Sequence, residues 1–201
     1  MSSPETPYRT IGERGTAEFE IRGSRFIGHA APARTVETAE QFITTIRQEY
    51  ADASHNVPAY RIRAEPLREW ASDDGEPTGS AGKPALNVLQ QRELENVVVV
   101  VTRYFGGTEL GVGGLARAYS RGVKDAINDA GVTEREPHER ATITVEYDDS
   151  GTVRGILESE DIEFEATYAA DVTFETVVPR AAAADLYDRV RSATSGRARI
   201  D

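Results

Sequence analysis

The chain has 201 residues, which fits one or two compact units, and its 39% apolar and 28% charged residues give a globular rather than a disordered composition. It contains no cysteine, which excludes disulfides, thiolate nucleophiles and cysteine-ligated zinc or iron–sulfur centres, and fits a reducing compartment. Lys+Arg 23 against Asp+Glu 34 leaves a formal net charge of −11, which repels a polyphosphate backbone and disfavours general coating of DNA or RNA.

Residues 1–15 mix Pro, Ser, Gly, acids and arginines without an apolar stretch, so they predict an N-terminal arm and no signal peptide. From Ala17 the alternating runs AEFEIR and RFIGHA flank Gly23-Ser24 and predict a hairpin. Residues 36–50 place Ala39, Phe42, Ile43, Ile46 and Tyr50 on one stripe of an amphipathic helix. Two strand-like runs follow, 57–63 and 67–71, and then SDDGEPTGSAG (72–82), which has no periodicity and predicts an irregular loop. Lys83-Pro84 opens a short helix, with proline at its favoured first position. Residues 96–103 predict a strand covered on both faces, because five consecutive valines leave no polar side. That valine run is also the longest purely apolar stretch, far short of the ~20 residues that span a bilayer, so a soluble cytoplasmic protein is expected. A glycine-rich turn leads to a helix over 115–130, with Gly131 placed to cap it.

Pro137 and its charged neighbours interrupt the periodicity near residues 134–139. The expected organisation is an arm (1–15), an N-terminal domain (16–136) and a C-terminal domain (139–201). In the last, a strand (141–147), helix (150–159), strand (162–168), strand (171–178), helix (180–193) and terminal strand (196–200) give the βαββαβ order of the split-βαβ, ferredoxin-like pattern. Residues 139–201 hold 14 acids and 7 bases, against 20 and 16 in residues 1–138, so the C-terminal part reads as an acidic interaction or packing domain. Lysine occurs only at 83 and 124, and this Arg-rich, acid-rich balance fits either a high-salt cytoplasm or an ordinary acidic protein from a GC-rich genome.

Three segments could carry chemistry. YFGGTELGVGGLARAYSRG places five glycines between Gly106 and Gly114 just before a helix, and Arg103, Arg117, Arg121 and Lys124 make residues 97–124 net positive despite Glu109. Such a segment reads either as a phosphate or carboxylate cradle or as a tight, closely packed chain reversal. GVGGLA fits GxGxxA, but a long loop parts it from its strand and the chain is not alternating βαβ, so a dinucleotide fold is rejected; no GxxxxGK[ST] loop occurs. The second segment, Asp73, Asp74 and Glu76, reads as a divalent-metal site, as turn and helix caps, or as a salt link to the arginines of the glycine-rich segment. The third, His55-Asn56, reads as a turn or as an acid–base group whose partner across a hairpin would be Asp73 or Asp74. His29 and His138 stand in no constellation, and no G-x-S-x-G elbow is present. The acidic corner and the arginine-bearing bend are expected to lie side by side around one crevice.

Together SRFIGHA (24–30), HNVPAYRI (55–62), SDDGEPTGSAGKPALNVL (72–89) and NVVVVVTRYFGGTELGVGGLARAYS (96–120) resemble the IMPACT family in its two-domain prokaryotic, YigZ-like form. Asp73, Asp74, Gly75, Glu76, Pro77, Gly79, Gly82, Lys83 and Pro84 match the family's acidic motif. Arg103 to Gly107, Leu110, Gly111, Gly113 to Leu115 and Arg117 to Tyr119 match the second motif. Glu109 stands where the family often has a basic residue, and Val57-Pro58 replaces its usual cysteine–aromatic pair. The resemblance implies an α+β fold. Its N-terminal domain would be of the type shared by a ribosomal protein and domain IV of elongation factor G. Its C-terminal domain would be a ferredoxin-like βαββαβ unit similar to domain V of that factor. The family has no established enzymatic activity, so no catalytic residue and no resident cofactor are expected. Its eukaryotic members act in translational control, by binding the activator of a starvation-sensing initiation-factor kinase.

The expected function is therefore a non-enzymatic regulatory binding protein that docks on the ribosome, structured RNA or a translation-associated protein. The binding residues would be Lys83, His55, Asn56, Arg103, Tyr104, Phe105, Gly106, Gly107, Gly111, Gly113, Gly114, Arg117 and Arg121. The competing reading is a phosphate- or nucleotide-binding protein, or a metal-assisted hydrolase or transferase, with Asp73, Asp74 and Glu76 on a divalent ion.

Overall fold

The valine run forms the middle of a sheet that is covered on both sides. In this computed structural model, which describes residues 6–201, the chain divides into one unit over Tyr8–Arg135 and a second containing Glu136–Asp201. The first unit runs β1 (Tyr8–Ile11), β2 (Gly15–Ile21), β3 (Ser24–Pro32), α1 (Val36–Glu49), β4 (His55–Ile62) and β5 (Arg68–Ala71). It continues through α2 (Gly82–Gln91), β6 (Val97–Tyr104), α3 (Gly111–Ala130) and β7 (Val132–Arg135). The five-stranded sheet has the order β2-β3-β6-β4-β5, and every neighbouring pair is antiparallel. Side chains alternate across a strand. Val97, Val99 and Val101 therefore join Phe19, Phe26, Leu115, Tyr119 and Ile127 under α2 and α3. Val98 and Val100 join Ile43, Ile46 and Tyr60 under α1.

Gly28 and Gly122 let β3 and α3 approach backbone to backbone. A methyl group on Gly28 would lie 2.1 Å from the Gly122 carbonyl oxygen, and one on Gly122 would press on Val101 at 3.0 Å.

Several boundaries differ from the sequence reading. Residues 1–5 of the expected arm lie outside the described residues, but Tyr8–Ile11 is a strand, paired antiparallel with Val132–Arg135. The reading of this stretch as an arm fails because its partner lies more than a hundred residues away, where no local pattern signals it. The hairpin turn is Arg22-Gly23, both at positive φ (48° and 80°), so Ser24 is already in β3. The last four residues before Leu115, expected to belong to the glycine-rich turn, are the first turn of α3. In the second unit the first strand and first helix likewise start earlier than expected, whereas the later strands start one to three residues later, and Asp148 and Asp149 open the first helix where its dipole favours anions.

That second unit runs β8 (His138–Val145), α4 (Tyr147–Ser159), β9 (Phe164–Tyr168), β10 (Val172–Pro179), α5 (Arg180–Ala193) and β11 (Arg199–Ile200), the expected element order. Its sheet has the order β11-β8-β10-β9. Val153 and Leu157 of α4 and Ala183, Leu186 and Val190 of α5 join Ile143, Val145, Phe174 and Val178 in one core. Both helices thus cover the same face, and Glu175 and Val177 point outward from the other.

Gly28→Ala is expected to destabilise the first unit by about 2 kcal/mol through overpacking. Gly151→Ala in α4, where a methyl group meets nothing within 4 Å, should be neutral or slightly stabilising. Urea unfolding midpoints of the two variants test the contrast.

Candidate functional site

The acidic loop and the bend after β6 meet around one buried ion pair. Arg103, near the end of β6, donates from Nη1 to Glu76 Oε1 at 2.6 Å, with the two side chains only 5% and 4% exposed. Tyr119 of α3 donates its hydroxyl to the same oxygen at 2.7 Å. Burial, then the bond to Glu76, pushes the Tyr119 phenol far above its ordinary range, so it stays a donor. The second arm of Arg103 donates to Ser24 Oγ at 3.2 Å, and its guanidinium lies over the rings of Phe26 and Phe105. Arg103 is thus an internal tie. The expectation that it meets a ligand at the surface is corrected, because its guanidinium is consumed by Glu76 and Ser24.

The other two carboxylates of the loop are taken up in the same way. Asp73 accepts backbone N–H bonds from Gly79 at 2.7 Å, Ala81 at 3.0 Å and Gly82 at 2.8 Å. It supplies the anion at the α2 N-terminus, whose own cap residue Ala81 has no side-chain bond to offer, and helix α2 consequently starts at Gly82 rather than at Lys83-Pro84. Burial alone would raise the Asp73 carboxyl, but the bonds from Gly79, Gly82 and Ala81 outweigh it and hold it below its usual value. Asp74 receives Arg47 Nη2 of α1 at 2.7 Å on one oxygen and the Asn56 N–H of β4 at 2.6 Å on the other. Of the alternatives open for this segment, caps and the salt link are the ones these contacts realise. Among the described residues no three His, Asp or Glu side chains are grouped to hold a metal ion.

His55 Nδ1 sits 2.8 Å from the carbonyl oxygen of Asp74, not from its carboxylate. A carbonyl only accepts, so Nδ1 carries a proton and Nε2 faces Glu76 Oε1 at 3.8 Å. Asn56 is buried, accepting from Thr102 Oγ1 at 2.7 Å and donating to the Tyr50 carbonyl at 3.1 Å. Tyr104 donates its hydroxyl to Asp52 Oδ1 at 2.8 Å. His55, Asn56 and Tyr104 therefore hold the corner together.

The bend itself is exposed, but its root is clamped. Phe105 N–H donates to Ser54 Oγ at 2.9 Å and Gly106 N–H to Ser24 Oγ at 3.1 Å. Gly106 is required there, since a methyl group would lie 1.9 Å from the Gly23 carbonyl carbon. Beyond this clamp Phe105 is 50% exposed and Val112 59% exposed, and Gly107, Glu109, Gly111 and Gly113 also face solvent. The N-terminus of α3 has no side-chain cap, and the guanidinium of exposed Arg117 reaches back to Gly113. Arg121, four residues on, pairs with Asp125 and lies 4.2 Å over the Phe19 ring, so it is already engaged. The residues the sequence reading missed are Ser24, Ser54 and Tyr119. Their hydroxyls carry no pattern along the chain, and only the matching of SRFIGHA and LARAYS to the motifs hinted at the first and last.

These two units have counterparts elsewhere. The Impact N-terminal domain matches residues 22–127, and a domain of unknown function, DUF1949, matches residues 143–197. The chain is therefore, by class, a two-domain protein of mixed α and β structure with an Impact-type first domain. IMPACT family member YvyE of Bacillus subtilis (strain 168) is 41% identical over 172 residues, covering 85% of this chain and 79% of that protein. IMPACT family member YigZ of Escherichia coli (strain K12) is 33% identical over 184 residues, 90% of each. A crystal structure described as that of a hypothetical protein superimposes with a TM-score of 0.68 at 31% identity, covering 97% of this chain and 96% of that one. The chain belongs to the IMPACT family.

Glu76→Gln should cost about 3 kcal/mol in urea unfolding, because it leaves the Arg103 guanidinium buried without its counter-ion. Tyr119→Phe should cost about 1 kcal/mol. For Asp73, a folded-state value below the unfolded one means its contribution is full above the unfolded value of about 3.9 and is lost as pH falls through the folded value. Asp73→Asn should therefore lower the thermal midpoint at neutral pH, and the gap from the parent protein should close in the acid range below pH ~4.

Proposed function

We propose that this protein is a non-enzymatic regulatory binding protein of translation that docks on ribosomal or other structured RNA through the exposed bend and the start of α3. One juxtaposition supports the reading above all. The Phe105–Gly114 segment stands out from a clamped root, and Arg117, whose guanidinium reaches back to Gly113, has no carboxylate partner among the described residues, nor has exposed Lys83 of α2. Lys83 is on the exposed side of α2, and α2 is tied to α3 through Ser120 Oγ and the Pro84 carbonyl. An exposed Phe105 ring offers a stacking surface to an unpaired base, while Arg117 and the uncapped N–H groups of α3 suit a phosphate. Glu109 within the same segment restricts this to a local contact and argues against tracking along a backbone.

The fold reading in finer detail belongs to the same proposal. We read the second unit, with its sheet order β11-β8-β10-β9 and both helices on one face, as ferredoxin-like and of the elongation-factor-G domain V type. We read the first as the domain IV type that family membership implies. The translational control exercised by eukaryotic members of the family supports a role at the ribosome, and hence in the cytoplasm; no described helix is long and apolar enough to cross a membrane.

The test is co-sedimentation of the full chain with ribosomes. Lys83→Glu/Arg117→Glu should reduce the bound fraction at least about tenfold, and Phe105→Ala should weaken it by about 1–3 kcal/mol, the worth of one stacked base. Unchanged sedimentation of the double variant overturns the proposal.

A further inference from the structure

The second unit carries an open groove that nothing above uses. It has a volume of about 1450 Å³ and lies where β9 stops short of the end of β10. Strand β8 pairs with β10 as far as Pro179, whereas β9 pairs with it only as far as Thr176, where Thr176 Oγ1 donates to the Glu163 carbonyl at 2.8 Å. Among the described residues, Val177, Val178 and Pro179 thus have no strand on their second edge, and Val177 is 51% exposed. The end of β9 thus leaves an open channel floored by the exposed Val177 side chain, long enough to take an extended segment. The volume exceeds the roughly 300–1,000 Å³ of small-molecule pockets, which favours a chain segment over a metabolite.

Charge selects the kind of segment. Glu160, Asp161, Glu163, Glu165, Glu175 and Asp185 line the groove, against Arg140 and Arg189, and Arg189 is already paired with Glu160. Glu165 and Glu175 stand directly opposite each other on the open face of neighbouring strands, and neither has a basic partner among the described residues. Like charges placed so are destabilising in a sheet, and a cation brought between them relieves the repulsion. Phosphate would be repelled by the same surface.

We infer that the groove beside the uncovered edge of β10 binds an extended, arginine- or lysine-rich segment of a partner protein. The segment lies in the groove past Val177 and Pro179, with its apolar side chains over Val177 and its cations against Glu165 and Glu175.

The experiment uses the full chain and a fluorescein-labelled short peptide of alternating arginine and valine, read by anisotropy at moderate ionic strength. Glu165→Gln/Glu175→Gln should weaken binding roughly tenfold. Glu13→Gln/Glu20→Gln, which removes the same charge from exposed positions of the first unit, should leave it within about twofold. Amide shifts on titration should be largest at Val177 and Val178, which also covers the case of a variant that misfolds. Equal weakening by both double variants, or shifts that avoid β10, would each overturn the inference.

Discussion

A guanidinium buried at the end of a central strand cannot be left without a counter-ion, and this obligation organises the first unit. Arg103 requires Glu76, and Glu76 brings a loop with no regular pattern of its own in against β6 and α3. The pair is not a large source of net stability, since desolvation offsets most of its attraction. Its effect is on arrangement. With Glu76 held, Asp73 reaches the α2 N-terminus and Asp74 reaches both α1 and β4. Three carboxylates within four residues thus tie five elements to one corner. The exposed bend that follows Arg103 inherits a fixed root from the same network, through Ser24.

What the sequence made legible was whatever has a local period. The valine run, the stripes of α1 and α3 and the βαββαβ order all follow from spacings within one element, and each is present in the structure. The antiparallel pair β1–β7 was not legible, because its two strands are short and lie at opposite ends of the unit. Site residues divide in the same way. That acids and arginines would meet was legible from their types and from the family motifs. Which of them meet was not: the choice of Glu76 for Arg103, and of a carbonyl rather than a carboxylate for His55, depends on where the loop crosses the sheet. For that reason Arg103 reads from sequence as a surface cation, and the hydroxyls of Ser24, Ser54 and Tyr119 give no pattern of their own.

The two units put acidic residues to opposite uses. In the loop over 72–82 every carboxylate is taken up by N–H, O–H or guanidinium donors of its own unit, so formal charge there says little about what the surface attracts. Along the groove of the second unit, Glu165 and Glu175 keep their charge turned outward, and formal charge is a fair guide to the partner.

The same distinction removes an apparent conflict between a net charge of −11 and the proposed RNA contact. Repulsion summed over the whole chain acts over distances at which salt screens it, the Debye length being ~8 Å at physiological ionic strength and shorter in concentrated salt. A phosphate in contact with Arg117 would lie well inside that length. Net charge slows the approach of a polyanion, while a contact itself is decided by the few groups within reach.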